Sequence, residues 1–119
     1  MTSSTSVLVH ICTAEDWRLA RDLGEHRPDS LEGAGFVHLS TPEQVHLPAN
    51  RLYAGRGDLL LLRIDPSRLT SEVRWEPGVA SDPDSMVFPH LYGSLPAAAV
   101  ISVTSYLPDA DGRFAPLPS

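Results

Sequence analysis

The chain has 119 residues, 42% of them hydrophobic, which suits one folded domain spanning 1–119 around one core. A formal charge of -6 argues against a general nucleic-acid binder, whose docking face is normally basic, yet leaves room for a local arginine pocket around one nucleotide. All nine basic residues are arginine, so Schiff-base chemistry and the lysine-dependent phosphate loop are excluded.

The opening MTSSTSVLVHIC lacks a basic region and has only a short apolar run, so neither a signal peptide nor a membrane span is expected. The single cysteine, Cys12, has no internal disulfide partner and reads as a small buried apolar side chain rather than a nucleophile. These features point to a cytoplasmic location.

Val7 to Ile11 reads as a first strand with His10 inside its apolar run, either a hydrogen-bonded core residue or a ligand contact. Thr13 and Asp16 resemble a capping box, and Trp17, Ala20 and Leu23 give a short helix an apolar face that ends at Gly24. Glu25 to Ala34 is expected to be a loop crossing the site.

In GFVHLSTPEQ (35–44), Phe36, His38 and Ser40 alternate with Val37 and Leu39, as a two-faced strand requires. Thr41 can cap a following helix, with Pro42 in its first turn and Gln44 bonding back. Polar side chains beside a helix start suit a nucleotide phosphate; the plainer alternative is a half-buried strand and a well-capped helix. Pro48 should break that helix and leave a second short one over Ala49 to Tyr53, with His46 solvated.

Leu59 to Ile64 is the best central strand. Glu72 to Glu76 alternates again, placing Val73 and Trp75 on one face, Glu72 and Arg74 in solvent, and Glu76 over a cleft. Gly78 to Val87 reads as a lid, followed by the Phe88–Gly93 cluster, a last strand over Ala97 to Tyr106, and a tail held by Phe114 and Leu117. The sum is an α+β domain with two or three short helices.

Three histidines, His10, His38 and His90, and one carboxylate, Glu76, sit at four strand positions. Brought together, they could bind a ribose or pyrophosphate with Glu76 stabilising a sugar cation or acting as base, hold zinc or iron as a metal-dependent hydrolase would, or line a pocket without catalysis. No compact metal motif such as His-Glu-x-x-His is present, so no metal is assigned.

His10 with Trp17, SLEGAGFVHLSTPEQ, NRLYAG, DLLLLRID, Glu76 and FPHLYGSLP together resemble the domain-of-unknown-function-952 family, over about Val7 to Tyr106. That resemblance implies a small split β-structure like the ADP-ribosyltransferase fold, with a cleft for NAD. The GFVHLST strand also resembles one in tRNA 2′-phosphotransferases. It implies cofactor contacts from His10, Ser40, Thr41 and Tyr92, and chemistry from His38, Glu76 and His90. The expected partner is a small nucleotide, with no membrane and no general nucleic-acid binding. His26 stands where members usually carry a tyrosine, so a stacking role for that loop is not carried over. The arginines with which phosphotransferases hold an RNA phosphate are not recognisable, and fold alone fixes no activity.

Overall fold

A computed structural model describes residues 7–78 and 86–117. In chain order it contains β1 (Leu8–Thr13), α1 (Ala14–Leu23), β2 (Glu25–His26), α2 (Asp29–Gly33), β3 (Val37–His38), α3 (His46–Tyr53), β4 (Leu59–Ile64), β5 (Val73–Pro77), β6 (Val87–Leu91), β7 (Leu95–Pro96) and β8 (Val100–Tyr106). Single 3₁₀ turns at Pro66–Arg68 and Ala97–Ala99 complete the list. The class is α+β, with every strand pairing antiparallel.

The unbroken apolar run of β4 has a physical reason. It is the middle strand of the sheet β1-β4-β8 and is covered on both faces. Leu62 and Ile64 join Leu8 and Cys12 in one core, while Leu59 and Leu61 join Val9, Val45 and Tyr106 in a second. Each fully buried leucine stabilises the fold by about 2–3 kcal/mol relative to exposure. Cys12 is buried here, and burial first, then Asp16, pushes its thiol up to about 12. It is a packing residue, as its sequence context suggests.

The second sheet, β3-β6-β5, carries the site. Val37 pairs with Leu91, and Leu91 with Val73, forming a row that faces the first core. One residue along, His38, His90 and Arg74 form the next row, which must face the other way. The two sheets are stitched at one bridge, where Val9 and Ser40 exchange backbone hydrogen bonds of 2.8 and 2.9 Å. That bridge brings the end of the histidine strand against β1 beside His10.

Helix α1 begins and ends as its sequence predicts. Thr13 Oγ1 accepts from the Asp16 N–H at 3.1 Å, and Gly24 closes the helix in the left-handed region at φ 87°. Ala20 is buried and Trp17 packs on the first core, whereas Leu23, the last helical residue, extends past it and is 74% exposed. Trp75, expected to share a buried face with Val73, is 51% exposed on the edge strand β5.

Four local expectations are corrected. Residues 25–34 are not a plain loop: Glu25 and His26 pair with Leu95 and Pro96, and α2 follows. The histidine strand is only two residues long as a ladder, because Ser40 has left β6 to pair with β1. Thr41 does not cap a helix. Its hydroxyl donates to Gln44 Oε1 at 3.1 Å, Gln44 Nε2 donates to the Val87 carbonyl at 3.0 Å, and the chain makes a turn before α3 begins at His46. Pro48 does not break α3, because it is the third helical residue, where a backbone N–H has no acceptor within the helix anyway.

The tail is held as expected, by stacking of Phe114 on Tyr106 at 4.7 Å. Asn50 adds a two-way clamp on α3, donating to the Phe114 carbonyl at 2.9 Å and accepting its N–H at 2.7 Å. The lid expected over 78–87 falls largely on residues outside the described ones. Among the described residues no helix is long and apolar enough to cross a membrane.

Candidate functional site

Two adjoining cavities lie on the histidine face. The first, about 290 Å³, is lined by His10, His26, His38 and Ser40, together with Asp16 and Asp29. The second, about 200 Å³, is lined by His38, Ser40, Arg51, Phe88 and His90. His38, Ser40, Pro48 and Leu52 form the shared wall, so the two are lobes of one concave region. The sequence predicts that His10, His38 and His90 converge, and they do so pairwise, with His38 as the hinge between lobes. Thr41, Glu76 and Tyr92 line neither of these two lobes. Thr41 fails to reach because the turn that replaces its helix directs its hydroxyl to Gln44.

In the first lobe the hydrogen-bond chain fixes the protons. His10 Nδ1 lies 2.7 Å from the His38 carbonyl, and a carbonyl only accepts, so Nδ1 carries the hydrogen. His10 Nε2 is 3.2 Å from His26 Nε2, and the two rings tilt against each other at 5.1 Å. Burial, then the neighbouring His26, pushes His10 down to about 3, so it stays neutral. Burial also lowers His26, with Asp16 opposing the shift. No local pattern marks His26 as a site residue. Only its pairing with Leu95 carries it across to His10.

In the second lobe a carboxylate orients an imidazole. Glu76 Oε1 accepts from His90 Nδ1 at 2.9 Å and from the Tyr92 hydroxyl at 2.6 Å. The Tyr92 and His90 hydrogen bonds, in that order, hold the Glu76 carboxyl below its ordinary range. The Tyr92 hydroxyl is correspondingly raised by Glu76. Arg74 lies over the Tyr92 ring at 4.5 Å and pairs with Glu72 at 3.2 Å, so it serves the cluster from outside. Phe36 stacks flat on His90 at 4.0 Å, and His38 meets His90 edge-on at 5.5 Å. His90 is 2% exposed, and its Nε2 has no partner among the described residues. Burial first, then His90 and Arg51, lowers His38 as well.

No group of three His, Cys, Asp or Glu side chains is disposed to hold a metal among the described residues. The hydrogen bonds explain why: His10 engages both its nitrogens and His90 gives Nδ1 to Glu76. His46, expected in solvent, instead has its Nδ1 shielded and unpartnered at the start of α3.

The crystal structure of protein CC0527 from Caulobacter crescentus is similar over 92% of this chain and 94% of that one, with 26% identity and a TM-score of 0.78. The solution structure of the same protein gives 29% identity, 90% coverage of each chain and a TM-score of 0.73. No curated protein matches the chain. The sequence pattern described as "Protein of unknown function (DUF952)" matches residues 11–103, which include His26, His38, Glu76, His90 and Tyr92. The chain therefore belongs to the DUF952 family.

Proposed function

We propose that this protein binds NAD across the two lobes and cleaves the nicotinamide–ribose bond, passing ADP-ribose to water or another acceptor in the manner of an ADP-ribosyltransferase. One observation carries the reading. His90 is a buried imidazole that lines a cavity, with its Nδ1–H anchored by a charged carboxylate and its Nε2 lone pair buried and unpartnered. An imidazole held in that tautomer is a general base. A bilobed cavity suits a ligand of two linked nucleosides, and its combined size falls in the usual range for small-ligand sites.

In this reading the C1′–N bond breaks, the electron pair leaves with nicotinamide, and the acceptor oxygen bonds C1′. Its proton goes to His90 Nε2. Glu76 then acts through His90, stabilising the imidazolium, rather than touching the sugar cation directly as the sequence suggests. Arg51 is the one arginine that lines the second lobe.

The test is calorimetric NAD binding together with a nicotinamide-release assay on parent and His90→Gln. The expected result is that both bind and the variant releases nicotinamide roughly a hundredfold more slowly, the scale of one lost acid–base contact. A parent that does not bind NAD overturns the reading. Binding with no release, whatever the acceptor, favours a nucleotide- or metabolite-binding module. That second reading draws its support from His10, His26 and His38, which burial keeps neutral and therefore suited to hydrogen bonding alone.

A further inference from the structure

His10, the histidine the sequence marks for ligand contact, has no hydrogen-bonding capacity left for a ligand. Its Nδ1–H is donated to the His38 carbonyl, and a neutral ring then has one lone pair, on Nε2. That lone pair faces His26 Nε2 at 3.2 Å, so His26 is the donor there. The reverse arrangement would require a doubly protonated His10 in the interior. A neutral His26 that donates through Nε2 keeps its own lone pair on Nδ1. His26 is 7% exposed, lines the first lobe, and its Nδ1 has no hydrogen-bond partner among the described residues.

Part of the rest of that lobe has the same polarity. Asp16 and Asp29 are acceptors on its lining, and the Ser30 hydroxyl gives its hydrogen to the Phe36 carbonyl at 2.9 Å, leaving only lone pairs; Thr13, Ser40 and Tyr53 bring hydroxyls to the same lining. Arg56, the one arginine in the lining, is engaged by both oxygens of Asp58 at 3.0 and 2.6 Å. Two carboxylates in one lining disfavour a phosphate there and welcome hydroxyl or amino hydrogens.

We propose that His26 is the ligand-reading residue of the first lobe, accepting at Nδ1 a hydroxyl or amino hydrogen of a neutral nucleoside, with His10 the positioning residue that fixes its tautomer. The nucleoside identity rests on the nucleotide reading above; the acceptor role of His26 Nδ1 rests on the hydrogen-bond geometry alone. It puts an uncharged sugar or base in this lobe and the pyrophosphate outside it.

Nitrogen-15 spectra of histidine-labelled full-length protein test the tautomers directly. His10 is expected with its hydrogen on Nδ1 and His26 with its hydrogen on Nε2. A His26 hydrogen on Nδ1 overturns the proposal without any variant being made. Adenosine is then titrated, and the His26 Nδ1 resonance is expected to move, whereas inorganic pyrophosphate leaves it in place. His26→Phe should weaken adenosine about ten- to a hundredfold, the cost of one lost hydrogen bond in a site built for it, with part of the loss restored in His26→Gln. His10→Phe should leave His26 as a mixture of tautomers, a change that a merely structural His10 would not produce. If NAD moves His90 while neither NAD nor adenosine moves His26, this inference fails and the proposed reaction stands. If adenosine moves His26 and nicotinamide is never released, the reaction fails and the lobe stands as a nucleoside site.

Discussion

Glu76 is joined to the candidate site through His90, whose Nδ1 donates to Glu76 Oε1 at 2.9 Å. Across the sheet Glu76 is opposite Phe88, and His90 is the diagonal neighbour on the same face. The same oxygen takes the Tyr92 hydroxyl, so one atom of one carboxylate orders two side chains of the FPHLYG segment.

Glu76→Gln tests the consequence. The amide oxygen still accepts both hydrogen bonds, so the His90 tautomer and NAD affinity are expected to be unchanged. The charge that steadies the imidazolium is gone, and nicotinamide release should slow by roughly a hundredfold. A release rate equal to the parent's, measured at saturating NAD, would remove Glu76 from the mechanism.

Acid should unfold this protein unusually early. An unfolded histidine takes a proton below about pH 6.5, whereas burial keeps folded His10 neutral down to about 3. The unfolded state therefore binds more protons, and stability falls as pH drops below about 6.5. His10 alone contributes a loss of about 2 kcal/mol between pH 6 and 4.5, with His26 and His38 adding in the same direction. Cys12 gives the opposite limb: its folded thiol is raised to about 12, so stability declines once pH climbs past about 9 and the unfolded thiol ionises. Urea denaturation from pH 4.5 to 8 reads the acid limb. A flat profile down to pH 5 would contradict a buried neutral His10.

Thr41 and Gln44 divide their roles in a way the sequence does not show. Thr41→Ala removes a hydrogen bond to Gln44, with an expected cost of about 0.5–1 kcal/mol and no change in NAD affinity. Gln44→Ala also frees the Val87 carbonyl and should cost more, about 1–1.5 kcal/mol. Thermal melts rank the two. A larger loss for Thr41→Ala, or a loss of ligand affinity in it, would restore the helix-cap and phosphate reading.

Gly93 closes the FPHLYG motif for a steric reason. A Cβ there would run into the Ser71 side chain, reaching within 2.6 Å of its Cβ. Gly93→Ala is expected to destabilise by about 1–3 kcal/mol through overpacking. The double variant with Ser71→Gly should recover most of that loss in the same denaturation assay, and failure to recover would locate the strain elsewhere.

The parts of the fold legible in the sequence are those written locally. Thr13, Asp16 and Gly24 bracket α1 by hydrogen bonds within a few residues, and the apolar run of β4 needs only to be central. His38 was legible because it stands in the alternating strand of GFVHLST, and His90 because it stands in the FPHLYG segment. His26 was not, because β2 is two residues long and exists only by pairing with Leu95 and Pro96, far along the chain. The hydrogen bonds of Glu76 were not legible for a related reason. Where a carboxylate ends depends on which neighbours across a sheet offer it a hydrogen, and His90 and Tyr92 both do.

The clamp at Asn50 has a bearing on how the protein is made. Helix α3 supplies Pro48, Arg51 and Leu52 to the cavity walls, yet it is fastened to Phe114, 64 residues downstream. At ordinary rates of synthesis those 64 residues take on the order of several seconds to add, with the anchoring end still inside the ribosome. The nascent chain can pair β1 with β4 long before its binding wall is secured. A product terminated before Phe114 would therefore keep the pairing of β1 with β4 but lack the clamp that fastens α3.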